Sequence, residues 1–112
     1  VEPIQALVNQ GWKPLLSPGG ESFAYWRYSH KNPIGSTRWV IAPARKPNGW
    51  RMRALIADLT TGHRYPRTVY NVVFASAEAA SAAFLLTPED VKRDPRKVQR
   101  DPVEARTGQG QP

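Results

Sequence analysis

Apolar residues recur along this chain with two different periods. Near the start, Ile4, Leu7 and Val8 fall at helical spacing. Pro3 suits a first helical turn and Gly11 a stop, so the pattern predicts a short helix over residues 3–10, with Trp12 folded back over its end. From Ser22 onward the period shortens. Residues 22–30 (SFAYWRYSH), 37–45 (TRWVIAPAR), 50–59 (WRMRALIADL) and 68–74 (TVYNVVF) are rich in aromatic and β-branched residues and are separated by turn formers, which predicts strands. Periodicity alone would also allow a helix over 50–59, but its flanks, Asn48-Gly49 and Thr60-Thr61-Gly62, favour a strand. Asn32-Pro33-Ile34-Gly35 marks one turn. Lys46-Pro47-Asn48-Gly49 marks the next, since Asn-Gly tolerates the positive φ of tight hairpins. Pro43 signals an edge or a bulge. Helical spacing returns over 77–86 (AEAASAAFLL) behind Ser76, a capping residue, and Thr87-Pro88-Glu89-Asp90 begins a further turn.

The predicted order is α-β-β-β-β-α. This is an α+β fold in which a four-stranded antiparallel sheet carries an N-terminal and a C-terminal helix on one face. At 112 residues the chain is long enough for one domain, placed at residues 1–92. Residues 93–112 hold Asp94-Pro95, Asp101-Pro102 and a Gly/Gln-rich ending with few apolar positions, and are expected to be a disordered tail.

Strand alternation sorts the side chains into two sets. One set (Ala24, Trp26, Tyr28, Trp39, Ile41, Trp50, Met52, Ala54, Ile56, Tyr70, Val72 and Phe74) is apolar enough to be the core under the helices. Ala77, Ala80 and Ala83 would let the last helix approach closely, with Phe84 filling space. The opposite set (Phe23, Tyr25, Arg27, Arg38, Val40, Arg51, Arg53, Leu55 and Asn71) mixes aromatic rings with four arginines.

Charge sharpens this picture. The net charge is +7, and residues 21–67 account for all of it: nine Lys and Arg stand there against Glu21 and Asp58. A clustered basic excess attracts polyanions, although the same charge also serves solubility. An open sheet face of arginines and rings suits single-stranded nucleic acid, where guanidinium groups meet phosphates and rings stack on bases. The candidate nucleic-acid-binding residues are therefore Tyr25, Arg27, Arg38, Arg51 and Arg53 on the sheet. The loops add Arg45, Lys46, Arg64 and Arg67. The expected partner is DNA or RNA, bound without sequence specificity or in an accessory role. The alternative is a protein–protein interaction module using the same Trp-, Tyr- and Arg-rich surface. In layout, the strands and EAA-type helix within Trp50–Phe84 resemble the arm-binding domains of tyrosine recombinases. The likeness rests on no motif and implies a DNA-processing context as an expectation.

Other chemistry is sparsely supported. The chain has no Cys, which removes disulfides, thiolate metal sites and thiol catalysis and fits a cytoplasmic location. His30 and His63 have no metal-ligand spacing, and no nucleophile elbow, His-Glu-x-x-His or Gly-rich nucleotide loop is present. A small enzyme with a His30 or His63 base is the weakest alternative, and neither enzymatic activity nor a cofactor or metal is expected. Polar residues interrupt the first ten positions, and no apolar run reaches the ~18 residues of a membrane span, so neither a secretory leader nor a membrane partner is expected.

Overall fold

The computed structural model describes residues 2–45, 48–58, 60 and 67–100. The opening helical pattern becomes α1 (Gln5–Asn9). Its end is a Schellman motif: Gly11 has φ 97°, its N–H donates to the Val8 carbonyl and the Trp12 N–H to that of Leu7. The motif turns the chain so that Trp12 and Leu7 are both buried.

Five strands follow, each antiparallel to its neighbour in sequence: β1 (Lys13–Leu16), β2 (Phe23–Asn32), β3 (Gly35–Arg45), β4 (Asn48–Asp58) and β5 (Arg67–Phe74). The expected four-stranded sheet is thus five-stranded. The additional β1 has only four residues, all exposed, and includes Pro14, which lacks a ladder donor. Such a strand can exist only at an edge, and its sequence has no alternation to reveal it. After β5 come α2 (Ala77–Leu86), α3 (Glu89–Arg93) and a 3-10 turn over Pro95–Arg100. Ser76 caps α2 by accepting from the Ala79 N–H at 3.0 Å.

The helices cover one face. Leu7 of α1 and Ala77, Ala80 and Phe84 of α2 pack on Tyr25, Trp39, Ile41, Met52 and Ala54. The small alanines let α2 lie close to the sheet, and Phe84 fills the space between Trp12 and Trp39, with centroids 5.2 Å from each. Trp12 Nε1 donates to Ser81 Oγ at 3.1 Å, joining the two ends of the domain.

Strands β3 and β4 face as alternation predicts, but β2 is turned over. The Asn32–Gly35 pairing would, if continued regularly, set Tyr28 opposite Trp39 and hence in the core. Instead the register shifts at Ser29, and Arg27 stands opposite Trp39 and Tyr25 opposite Ile41. One extra residue in a strand exchanges its two faces. Tyr25, expected on the exposed face, is therefore only 1% exposed. Trp26 and Tyr28, expected in the core, are on the other side. The odd positions of β2 bring polar tips that the helix side can satisfy: Tyr25 OH accepts from the Ile4 N–H (2.7 Å) and Ser29 Oγ donates to the Lys92 carbonyl.

The second hairpin also differs from expectation. Arg45 already pairs with Asn48, so Asn48 and Gly49 belong to β4 rather than to the turn. Lys46 and Pro47 lie outside the described residues. Gly49 has φ 151°, and a Cβ there would come within 2.4 Å of the Phe74 carbonyl oxygen. Close approach of β5, not turn chemistry, requires this glycine.

The chain keeps defined structure past the expected domain boundary at residue 92, to Arg100, with Pro95 fully buried. Trp39 Nε1 donates to the Lys92 carbonyl (2.9 Å) and Thr37 Oγ1 to the Arg93 carbonyl (2.6 Å). Composition missed this segment because its anchors are few: the buried Pro95 ring and the Lys92 and Arg93 carbonyls held by side chains of the sheet. Residues 101–112, the remainder of the expected tail, lie outside the described residues. Among those described, no helix is long and apolar enough to cross a membrane.

Candidate nucleic-acid interface

The face of the sheet away from the helices is assembled by cross-strand register. Lys13, Trp26, Val40, Arg53 and Asn71 form one row across all five strands. Tyr28, Arg38 and Leu55 form the adjacent row on one side, and Ala42, Arg51 and Val73 the row on the other. Arg51 and Arg53 are two residues apart on β4, roughly 7 Å by strand rise. Arg38 lies one row further along the neighbouring strand. Three of the four arginines expected to share a face thus do so, and Arg27 does not.

Two aromatic rings accompany them. Trp26 and Tyr28 meet edge to face at 5.4 Å. The Arg38 guanidinium lies over both, 5.6 Å from the Trp26 centroid and 5.4 Å from that of Tyr28. Lys13 Nζ stands 5.8 Å from Trp26 and Lys31 Nζ 5.0 Å from Tyr28. Cations and rings therefore alternate along the β1–β2 side of the face. Each cation is attracted to the negative ring face, which pre-orders a long side chain without neutralising it.

The charge on this face is little opposed by strand residues. Asp58, the last residue of β4, is the sole acidic residue in the five strands. The observed ion pairs, Lys92–Glu89, Arg96–Asp94 and Lys97–Asp90, all belong to α3 and the 3-10 turn. Among the described residues no carboxylate pairs with Lys13, Arg38, Arg51 or Arg53. Arg51 Nη1 donates to the neutral Asn71 Oδ1 at 2.7 Å, and Arg53 Nε is buried with no hydrogen-bond partner.

The other expected site residues are placed elsewhere. Tyr25 belongs to the core. Arg27 lies on the helix side, its guanidinium over the Trp12 and Phe84 rings, with Nη1 donating to the Gln10 carbonyl at 2.7 Å. Burial lowers its pKa, an effect that the Glu89 charge opposes. Arg45 is exposed at the end of β3, three residues and roughly 10 Å beyond the Arg51 row. Arg67 opens β5, where its backbone pairs with Ile56. Lys46, Arg64 and His63 lie outside the described residues. Sequence reasoning missed Lys13, Trp26, Tyr28 and Lys31. The signal that bore on them was the side on which Arg38 and Arg53 fall, but the bulge severed β2 from that inference.

Among the described residues no group of three His, Asp or Glu could hold a metal ion. Comparison of the chain with protein-family models, with curated proteins and with solved structures finds no match in any of the three.

Proposed function

We propose that the chain is a nucleic-acid-binding module that takes single strands on its open sheet face. The observation that supports this most directly is the shared placement of Arg38, Arg51, Arg53 and Lys13 with the Trp26 and Tyr28 rings, in a sheet whose strands hold a single acidic residue, the terminal Asp58. Phosphates are contacted by the guanidinium and ammonium groups, and bases stack on the rings. Contacts of this kind carry no base-edge readout, so binding is expected to be indifferent to sequence. A pleated sheet presents rings to splayed bases, whereas a paired duplex hides its base faces, which favours single strands.

The test is fluorescence anisotropy of a labelled oligonucleotide across a NaCl series. Replacing Arg51 and Arg53 together with Gln should weaken binding and make the log–log salt slope shallower by about 0.7 per lost contact. Trp26→Ala should weaken binding by about 1–3 kcal/mol if a base stacks there. A parent protein that fails to bind at low salt, or a double variant with unchanged affinity and slope, would overturn the reading. Binding to a protein partner through the same face would show much weaker salt dependence.

A further inference from the structure

The bulge at Ser29 has an effect on the helix side as well. Regular alternation would turn His30 to the open face, in line with Trp26 and Tyr28, but the register shift sets it opposite the buried Thr37. Bulges often re-aim a side chain beside a site. Here His30 lines an open groove of about 310 Å³ between the β2–β3 hairpin and the segment after α3. That is near the lower bound of small-ligand pockets, roughly 300 Å³. Ile34 and Ile56 give it an apolar wall, while His30, Arg93 and Arg96 give it a polar one.

Much of the polar wall is fixed by the protein itself. The Thr37 and Trp39 bonds to the Arg93 and Lys92 carbonyls pin the backbone that carries Arg93. The Ile34 N–H donates to Asn32 Oδ1 (3.0 Å), which orients that amide and leaves its Nδ2 to donate to His30 Nε2 (2.8 Å). With Nε2 accepting, the ring carries a proton on Nδ1, a further donor. Asp94 is the carboxylate of the lining, and Arg96 engages it through two bonds of 2.7 and 3.0 Å. Those bonds hold the Asp94 carboxyl below its usual range despite partial burial. Arg93 is exposed and has no carboxylate partner among the described residues. Among the described lining residues the groove therefore has a surplus guanidinium, a further donor and an apolar wall, with Asp94 already compensated.

We propose that this groove binds a phosphate monoester carried on a ring-sized body, either a free nucleoside monophosphate or the terminal phosphorylated nucleotide of a strand. Arg93 presents a planar fork to the phosphate oxygens, the His30 N–H adds a donor, and Ile34 and Ile56 support the body. A bare anion would leave the apolar wall unused. The groove is on the helix side of the sheet, so this inference does not rest on the open-face reading.

The experiment is a titration followed in ¹⁵N–¹H NMR spectra, with adenosine monophosphate, adenosine and inorganic phosphate as probes. Adenosine monophosphate should shift the Gly35, Ser36 and Asp94 amides saturably, inorganic phosphate should shift the same amides more weakly, and adenosine should leave them in place. Arg93→Gln should weaken the monophosphate about tenfold, the loss of one charge-assisted contact. The sheet holds the carbonyl of Arg93 and not its side chain, so this variant should keep the fold. Arg53→Gln, on the other face, should leave the monophosphate unaffected. A short oligonucleotide with and without a 5′-phosphate distinguishes the sources. A preference for the phosphorylated end that vanishes in Arg93→Gln identifies a strand terminus, whereas its absence alongside monophosphate binding identifies the free nucleotide. The proposal is overturned if neither phosphorylated probe shifts the groove, if adenosine shifts it equally, or if Arg93→Gln changes nothing.

Discussion

The Arg27 guanidinium lies 4.9 Å from the centroid of the Phe84 ring, tying the middle of β2 to the last turns of α2. Trp12 is 5.4 Å away, and the Gln10 carbonyl accepts from Nη1. Arg27 is thus a strut among three elements. Arg27→Ala should cost about 1–3 kcal/mol in urea unfolding through lost packing and lost cation–ring attraction. Arg27→Met, which keeps an apolar stem, should cost less. Oligonucleotide affinity and its salt slope should be unchanged in folded protein. A shallower slope would return Arg27 to the binding face.

Gly49 should tolerate no side chain. A Cβ at that position would meet a backbone oxygen of β5, which cannot move without breaking the β4–β5 ladder. Gly49→Val should therefore lose about 3 kcal/mol or more, and Gly49→Ala a large part of that. Asn48→Ala, at an exposed neighbouring position, should stay within about 0.5 kcal/mol. Denaturant midpoints for the three variants check this. Equal losses at residues 48 and 49 would show that the turn, not the close approach, is what matters.

Alkaline stability should depend on Tyr70. Its ring packs 5.2 Å from Trp39, and burial raises its phenol pKa. In the unfolded chain a tyrosine ionises near pH ~10. The folded state holds its proton to higher pH, so the contribution is fully present below about pH 10 and declines as pH rises from there toward the folded value. Tyr70→Phe should flatten that part of the alkaline limb when unfolding free energy is measured against pH. An unchanged limb would mean that other groups set it.

The α2 cap should be separable from everything on the sheet. Ser76→Ala leaves the Ala79 N–H without its acceptor and should cost about 1 kcal/mol, most of which Ser76→Asp should restore. Thermal unfolding reads both changes.

The elements visible in the sequence were those whose signals are local. Ser76 marks the start of α2 and Gly11 the end of α1, because caps and left-handed stops are chemical properties of single residues. The alternation of β3 and β4 shows because Trp39, Ile41 and Met52 face Arg38, Val40 and Arg53 across a clear polarity difference. In β2 that contrast fails. Phe23 and Tyr25 on one side are as aromatic as Trp26 and Tyr28 on the other, so register decides, and register hung on an unmarked bulge. Arg38, Arg51 and Arg53 were therefore legible, whereas Arg27 and the aromatic half were not. Strand β1 and the 3-10 turn were missed for a different reason, since β1 is held by its backbone ladder to β2 and the turn by the buried Pro95 and local bonds to Asp94.

The sheet meander has a consequence for how the protein is made. Neighbouring strands are neighbours in sequence, so the sheet can assemble from short loop closures alone. The tie between Trp12 and Ser81 spans 69 residues. During synthesis from the N-terminus, Tyr25, Trp39, Ile41 and Met52 all emerge before the residues that roof them, Ala77, Ala80 and Phe84. For that interval the growing chain carries a finished apolar floor covered only by α1 and Trp12. The arrival of α2 ends its exposure to other nascent chains, so a ribosome stalled between β5 and α2 would present the protein in its most adhesive form.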